Sequence, residues 1–172
     1  MSVEINRRDL VKIGAGAVLA VPAALAVADA PRFFTPAEFA MLDELTEIII
    51  PTDEHSPGAR AAKVAAYIDA RTAEAFEAKD REMWRGGLKR VDALSNKMLG
   101  CPFLKGTPAQ RVAVVITLAA HEKDPKSPED RFFAELKSAT VRAYYTSSIG
   151  IHRDMNYLGN VMLDQFVGYE VP

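Results

Sequence analysis

Apolar residues along this chain recur at intervals of three and four, and several of the runs open on the same kind of start signal. Thr35-Pro36-Ala37-Glu38 has the order of a capping box, with a Thr N-cap, Pro at the first helical position and Glu at the third. Phe39, Leu42, Leu45, Ile48 and Ile49 follow at helical spacing, and Pro51 closes the element. Asp53-Glu54-His55-Ser56-Pro57-Gly58 reads as a turn-rich loop. A second helical region opens near Ala61 and runs past Phe76, with Val64, Ile68 and Ala75 inward. A third holds Met83, Trp84, Leu88, Val91, Leu94 and Met98, with Gly86-Gly87 weakening its continuity and a break at Cys101-Pro102-Phe103. Thr107-Pro108-Ala109-Gln110 starts another helix, with Val112, Val115, Ile116 and Ala119 facing in. Ser127-Pro128-Glu129-Asp130 starts the last, with Phe132, Phe133, Leu136, Val141 and Tyr144. No stretch alternates at strand period between turn dipeptides. The pattern predicts an all-α domain, a compact bundle of about five helices with an irregular C-terminal tail from Gly150.

The first thirty residues follow a different grammar. Arg7, Arg8 and Lys12 precede an uncharged run of small and apolar residues from Ile13 to Val27, interrupted by Gly14, Gly16 and Pro22. A basic n-region, an apolar segment of about 7–15 residues and small residues before a cut make a secretory signal. The run falls short of the roughly 20 residues that span a bilayer. Ala26 and Ala28 supply the Ala-x-Ala cleavage pattern. Cutting after Ala30 would leave Pro31 beside the scissile bond, which favours cleavage after Ala28 and leaves 29–172 as a single helical domain. The segment resembles a twin-arginine (Tat) signal, with Arg7, Arg8 and Lys12 in register and Asn6, Leu10 and Val11 departing conservatively. The alternative is an ordinary Sec signal whose arginines are adjacent by chance. Gly14-Ala15-Gly16 begins like a dinucleotide fingerprint, but Leu19 stands at the third glycine position and no strand precedes it.

Composition then narrows the functions. With 172 residues, 49% of them apolar and 26% charged, the chain is neither a disordered tail nor a fibre. A formal net charge of -2 lacks the basic surplus that phosphate neutralisation needs, so nucleic acid is not an expected partner. One Cys and three His exclude an internal disulfide framework, a Cys-held zinc knuckle and an iron–sulfur cluster within the chain. Cys101 is either a buried small apolar residue or, in an oxidising compartment, an inter-subunit thiol.

Catalytic motifs are not completed. His121-Glu122 would open a zinc-protease motif, but Pro125 stands where its second His belongs. Asp53-Glu54-His55 and His152-Arg153-Asp154 are His–acid clusters; converging, they would make a metal site in a stand-alone exported enzyme, and apart they are solvated turns. Ser147 and Ser148 lie near His152 without a nucleophile elbow or an assigned acid. No residue is therefore assigned to catalysis, cofactor or metal. The C-terminal third is aromatic-rich; Phe132, Phe133 and one member of each Tyr pair suit a core. Tyr144, Tyr145, Ile151, Tyr157 and Phe166 are the candidate partner interface, since desolvated aromatics anchor protein–protein contacts.

A series of short motifs occurs in order along the chain. Phe34-Thr35-Pro36-Ala37-Glu38, Ile50-Pro51-Thr52-Asp53 and Ser56-Pro57-Gly58-Ala59 come first. Phe132-Phe133, Thr140-Val141-Arg142-Ala143-Tyr144-Tyr145-Thr146-Ser147, Ile149-Gly150 and Leu158-Gly159-Asn160 follow. Together they resemble the gluconate 2-dehydrogenase subunit 3 (gamma subunit) family, with Ala143 departing from the Gly expected before the Tyr pair. The resemblance implies a non-catalytic small subunit without a cofactor of its own. Its partners would be an FAD-bearing large subunit of the glucose–methanol–choline type, a cytochrome c subunit in many such complexes, and the Tat translocase. It also implies a periplasmic place, at the face of the inner membrane, and a role in maturation and piggyback export of the large subunit. A membrane-tethered structural protein that keeps its leader is the other reading beside the stand-alone enzyme.

Overall fold

A computed structural model describes residues 30–157 and 159. Arg7, Arg8, Lys12, Ala26, Ala28 and Phe166 lie outside the described residues. The helices are α1 (Pro36–Ile49), α2 (Gly58–Ala61), α3 (Val64–Ala73), α4 (Ala78–Leu99), α5 (Pro108–Ala119) and α6 (Pro128–Tyr145). A 3-10 turn (Phe103–Lys105) precedes α5 and a π-helical turn (Gly150–Asp154) follows α6. No strand occurs among the described residues, so the protein is all-α, and five of its helices are long. No helix among the described residues is long and apolar enough to cross a membrane.

All three capping boxes form. Thr35, Thr107 and Ser127 each accept the backbone N–H of the third helical residue, while Glu38, Gln110 and Asp130 reach back to the cap N–H. Each box satisfies two amide donors that the helix start would leave without acceptors. An N-cap of this kind contributes about 1 kcal/mol.

Helix α6 is the central element, packing against α1, α3, α4 and α5. Phe132, Phe133, Leu136, Ala143 and Tyr144 on α6 join Leu42 and Leu45 of α1, Val64 and Ile68 of α3, and Trp84, Leu88 and Val91 of α4 in one core. Aromatic rings run through it edge to face: Phe34 to Trp84 at 6.4 Å, then Trp84 to Phe132 at 5.8 Å. The segment before α1 is fastened by the buried carboxylate of Asp69 on α3. Its Oδ1 accepts the N–H groups of Phe33 and Phe34 at 3.0 and 2.9 Å, and its Oδ2 accepts that of Arg32.

Four expectations are corrected. Helix α3 ends at Ala73, short of Phe76, which sits in the connection to α4 and is 98% exposed. Helix α4 is continuous through Gly86-Gly87, because Gly87 is a contact point: a Cβ there would overlap the Phe132 ring. In α5 the inward residues are Val114, Val115 and Leu118, while Val112 and Ile116 face out. Arg111 sets that rotation by turning to Glu44 of α1, Nη1 to Oε1 2.8 Å. In α6, Thr140 and Ala143 take the buried places and Val141 is exposed.

The two glycines of α4 are expected to respond oppositely to alanine. Gly87→Ala should destabilise by about 1–3 kcal/mol through overpacking against Phe132. Gly86→Ala meets only the flexible end of Arg90, and should be neutral or stabilising by up to about 1 kcal/mol. Urea unfolding followed by helical circular dichroism checks both; equal effects would refute the contact.

Candidate functional site

The motifs at the two ends of the domain converge on one side chain, Tyr144. Helix α1 stops at Ile49 because Pro51 lacks the N–H that would continue the ladder, and the chain turns back through Asp53. The Asp53 carboxylate accepts the N–H of His55 at 2.8 Å and of Ser56 at 2.7 Å. The Asp53 N–H donates to the Ser56 carbonyl, and Thr52 and Pro57 pair as an isolated antiparallel bridge. Gly58 then takes a φ of 77° against Thr52 and Glu47, a conformation and a space that suit only glycine. Glu47 on α1 holds the turn: Oε1 accepts from the N–H and hydroxyl of Thr52, and Oε2 accepts the N–H of Arg60.

This turn delivers Ser56 into the core. Its Oγ lies 2.6 Å from the Tyr144 hydroxyl and accepts the N–H of Gly58 at 3.2 Å. Tyr144 is fully buried. Its backbone carbonyl accepts the N–H and hydroxyl of Ser147, whose Oγ accepts the N–H of Gly150. The π-helical turn sits so close to the end of α6 that a Cβ on Gly150 would collide with the Tyr144 carbonyl.

The carboxylates around these joints are held ionised by backbone donors. Asp53 titrates below its ordinary value, chiefly through the Ser56 N–H and then that of His55. Asp130 does so through the Ser127 N–H first, aided by that of Lys126. Arg60 is raised by the adjoining Asp43 carboxylate, Nε to Oδ2 2.6 Å. Tyr145 is raised by the Asp154 carboxylate beside its hydroxyl.

The expected partner residues divide. Tyr144 is a core residue bonded to Ser56 and offers no surface to a partner, which corrects its place in the interface set. Tyr145 is 39% exposed and Tyr157 46%, while Ile151 is half-buried. Cys101 is a free, half-buried thiol whose carbonyl accepts the Ser95 hydroxyl at 2.9 Å. The His–acid clusters are not assembled: no three His, Cys, Asp or Glu side chains among the described residues are grouped to hold a metal. His152 Nδ1 lies 3.1 Å from the Tyr157 carbonyl. An open groove of about 650 Å3 runs beside α3, α4 and α6, lined by Tyr67, Phe76 and Met83 and by Arg71, Glu135 and Arg142.

Sequence reasoning missed the outward apolar residues Val112 and Ile116, with Met98 and Leu104 on the neighbouring segments. Spacing alone could not find them, because Val112 and Ile116 satisfy helical periodicity as well as Val115 and Leu118 do. The family model described as gluconate 2-dehydrogenase subunit 3 matches residues 36–163. No curated protein matches the chain, and no solved structure does.

Two measurements test the joint. Ser56→Ala and Tyr144→Phe should each cost about 1–3 kcal/mol by leaving a buried hydroxyl without its partner. The double variant should cost less than their sum, as urea unfolding would show. Separately, the folded values of Asp53 and Asp130 lie below their unfolded ones, so the folded state binds fewer protons. Their stabilisation is present above the ordinary carboxylate range and is lost as pH falls through the folded values. Asp53→Asn should flatten part of that acid decline in the urea midpoint.

Proposed function

Since this chain belongs to the gluconate 2-dehydrogenase subunit 3 family, we propose that it is the non-catalytic small subunit of a multisubunit dehydrogenase. The complex is an FAD-dependent oxidoreductase of sugars or sugar acids, and its flavin is held by a separate large subunit. The carrying observation is the family match, which begins at the first residue of α1 and extends past the π-helical turn. Among the candidate side chains, Asp53 closes a turn, Ser147 joins the Tyr144 carbonyl to the Gly150 N–H and Glu122 pairs with Lys137.

The small subunit assists maturation of the large one and carries it, already folded, through the Tat translocase to the periplasmic face of the inner membrane. The leader pattern at Arg7, Arg8 and Lys12 supports that route. A folded flavoprotein without an export signal of its own can leave the cytoplasm only when bound to a tagged companion. A cytochrome c subunit is a further partner of the complex, taking electrons from the flavin.

Replacing Arg7 and Arg8 together by Lys should strand both this chain and the dehydrogenase activity in the cytoplasm. Fractionation of the native host, with activity assayed in each compartment, checks it. Periplasmic activity unchanged by the double substitution would refute piggyback export.

A further inference from the structure

Helix α5 carries few polar side chains. Of its side chains with polar groups, Gln110 closes the N-cap, Arg111 turns to Glu44 and the Thr117 hydroxyl donates to the Ala113 carbonyl of its own helix. Beside the exposed Gln110 and Thr117, the apolar residues facing water are Ala109, Val112, Ala113, Ile116 and Ala120, with Ile116 65% exposed and Val112 42%. An apolar helix face of this length is normally covered, and this one is not. The uncovered strip is extended by Met98 near the end of α4 and Leu104 in the 3-10 turn, both exposed. Helix α4 packs against both α5 and that turn, so the three elements form one edge.

The unpaired charges on this edge are positive, because the carboxylates bordering it are taken up: Glu44 by Arg111, Asp92 by the Phe103 N–H, Glu129 by Arg90 and Asp130 by the Ser127 N–H. From Ala93 through His121 there is no Asp or Glu, although the chain carries 23 of them. Its charged groups are Arg111, bound inward, and the exposed Lys97 and Lys105, neither of which meets a carboxylate among the described residues. An apolar centre with a positive margin calls for an apolar patch with a negative margin. A second copy of this chain fits badly, because self-pairing sets this cationic margin against itself. Twelve residues make a helix about 18 Å long, whose outward strip of about 200 Å2 falls well below the roughly 800 Å2 that each partner contributes to a stable pair. Any partner seated here therefore reaches past α5 onto the 3-10 turn and α4.

We propose that the outward face of α5, with Met98 and Leu104, docks the flavin-bearing large subunit through an apolar patch fringed by carboxylates. This rests on the reading that such a subunit is the partner. The tagged full-length chain, purified from its native host, should bring with it a flavoprotein with sugar or sugar-acid dehydrogenase activity. Val112→Glu and Ile116→Glu change side chains already in water, so each should leave the chain's melt unchanged and lower the flavin retained by about tenfold or more. Lys97→Glu with Lys105→Glu should weaken retention less, and in a salt-dependent way. Should a Glu variant melt early, the lysine pair decides, since those side chains hold nothing in the fold. Flavin retained equally by wild type and all variants overturns this docking face while leaving the subunit reading intact. A wild-type chain that brings no flavoprotein overturns both. A wild-type dimer that Ile116→Glu converts to monomer, with flavin retention unaffected, assigns the face to a second copy and overturns the proposal.

Discussion

The buried hydroxyl pair of Ser56 and Tyr144 joins two parts of the chain 88 residues apart. Neither partner can be placed until its own segment is built. Ser56 needs the Asp53 turn and the glycine conformation at 58; Tyr144 needs α6 docked at the centre of the bundle. Once made, the bond ties the exit of α1 to the exit of α6, and the π-helical turn is laid directly on the Tyr144 carbonyl. Hydroxyls buried without partners cost about 1–3 kcal/mol each, so alternative packings that separate these two are disfavoured twice. The short motifs that looked scattered along the sequence are, in space, largely the parts of this one joint.

Carboxylates play a comparable role elsewhere. Asp69 gathers the amides of residues 32–34, Asp92 takes the N–H of Phe103 at 2.9 Å, and Asp130 takes those of Lys126 and Ser127. Each lies where the chain enters an element without a preceding helical turn to accept its amides. An ionised acceptor forms stronger bonds there than a neutral one. These acids shape the domain, and each is occupied by backbone donors.

Helix starts were legible because caps are local chemistry: Thr35, Thr107 and Ser127 each act within three residues. The all-α class followed from the same spacing. What escaped was settled by distant partners. The rotation of α5 depends on Arg111 meeting Glu44, and the continuity of α4 on Phe132 filling the space over Gly87. The early end of α3 has no comparable single contact to explain it. Between the adjacent tyrosines, the spacing from Phe133 and Leu136 already turns Tyr144 inward; what the local sequence does not give is its hydroxyl's partner, Ser56, far away in the chain. The exposed strip on α5 was hidden by its own uniformity, since Val112 and Ile116 satisfy helical periodicity as well as Val115 and Leu118 do.

The Asp69 clasp gives the bundle a definite entrance. Residues 32–34 form no helix of their own, yet one buried carboxylate on α3 takes three of their amides, so the approach to α1 and the middle of α3 are placed together. Loosening that carboxylate would free both the start of α1 and the Phe34 ring at the head of the aromatic row.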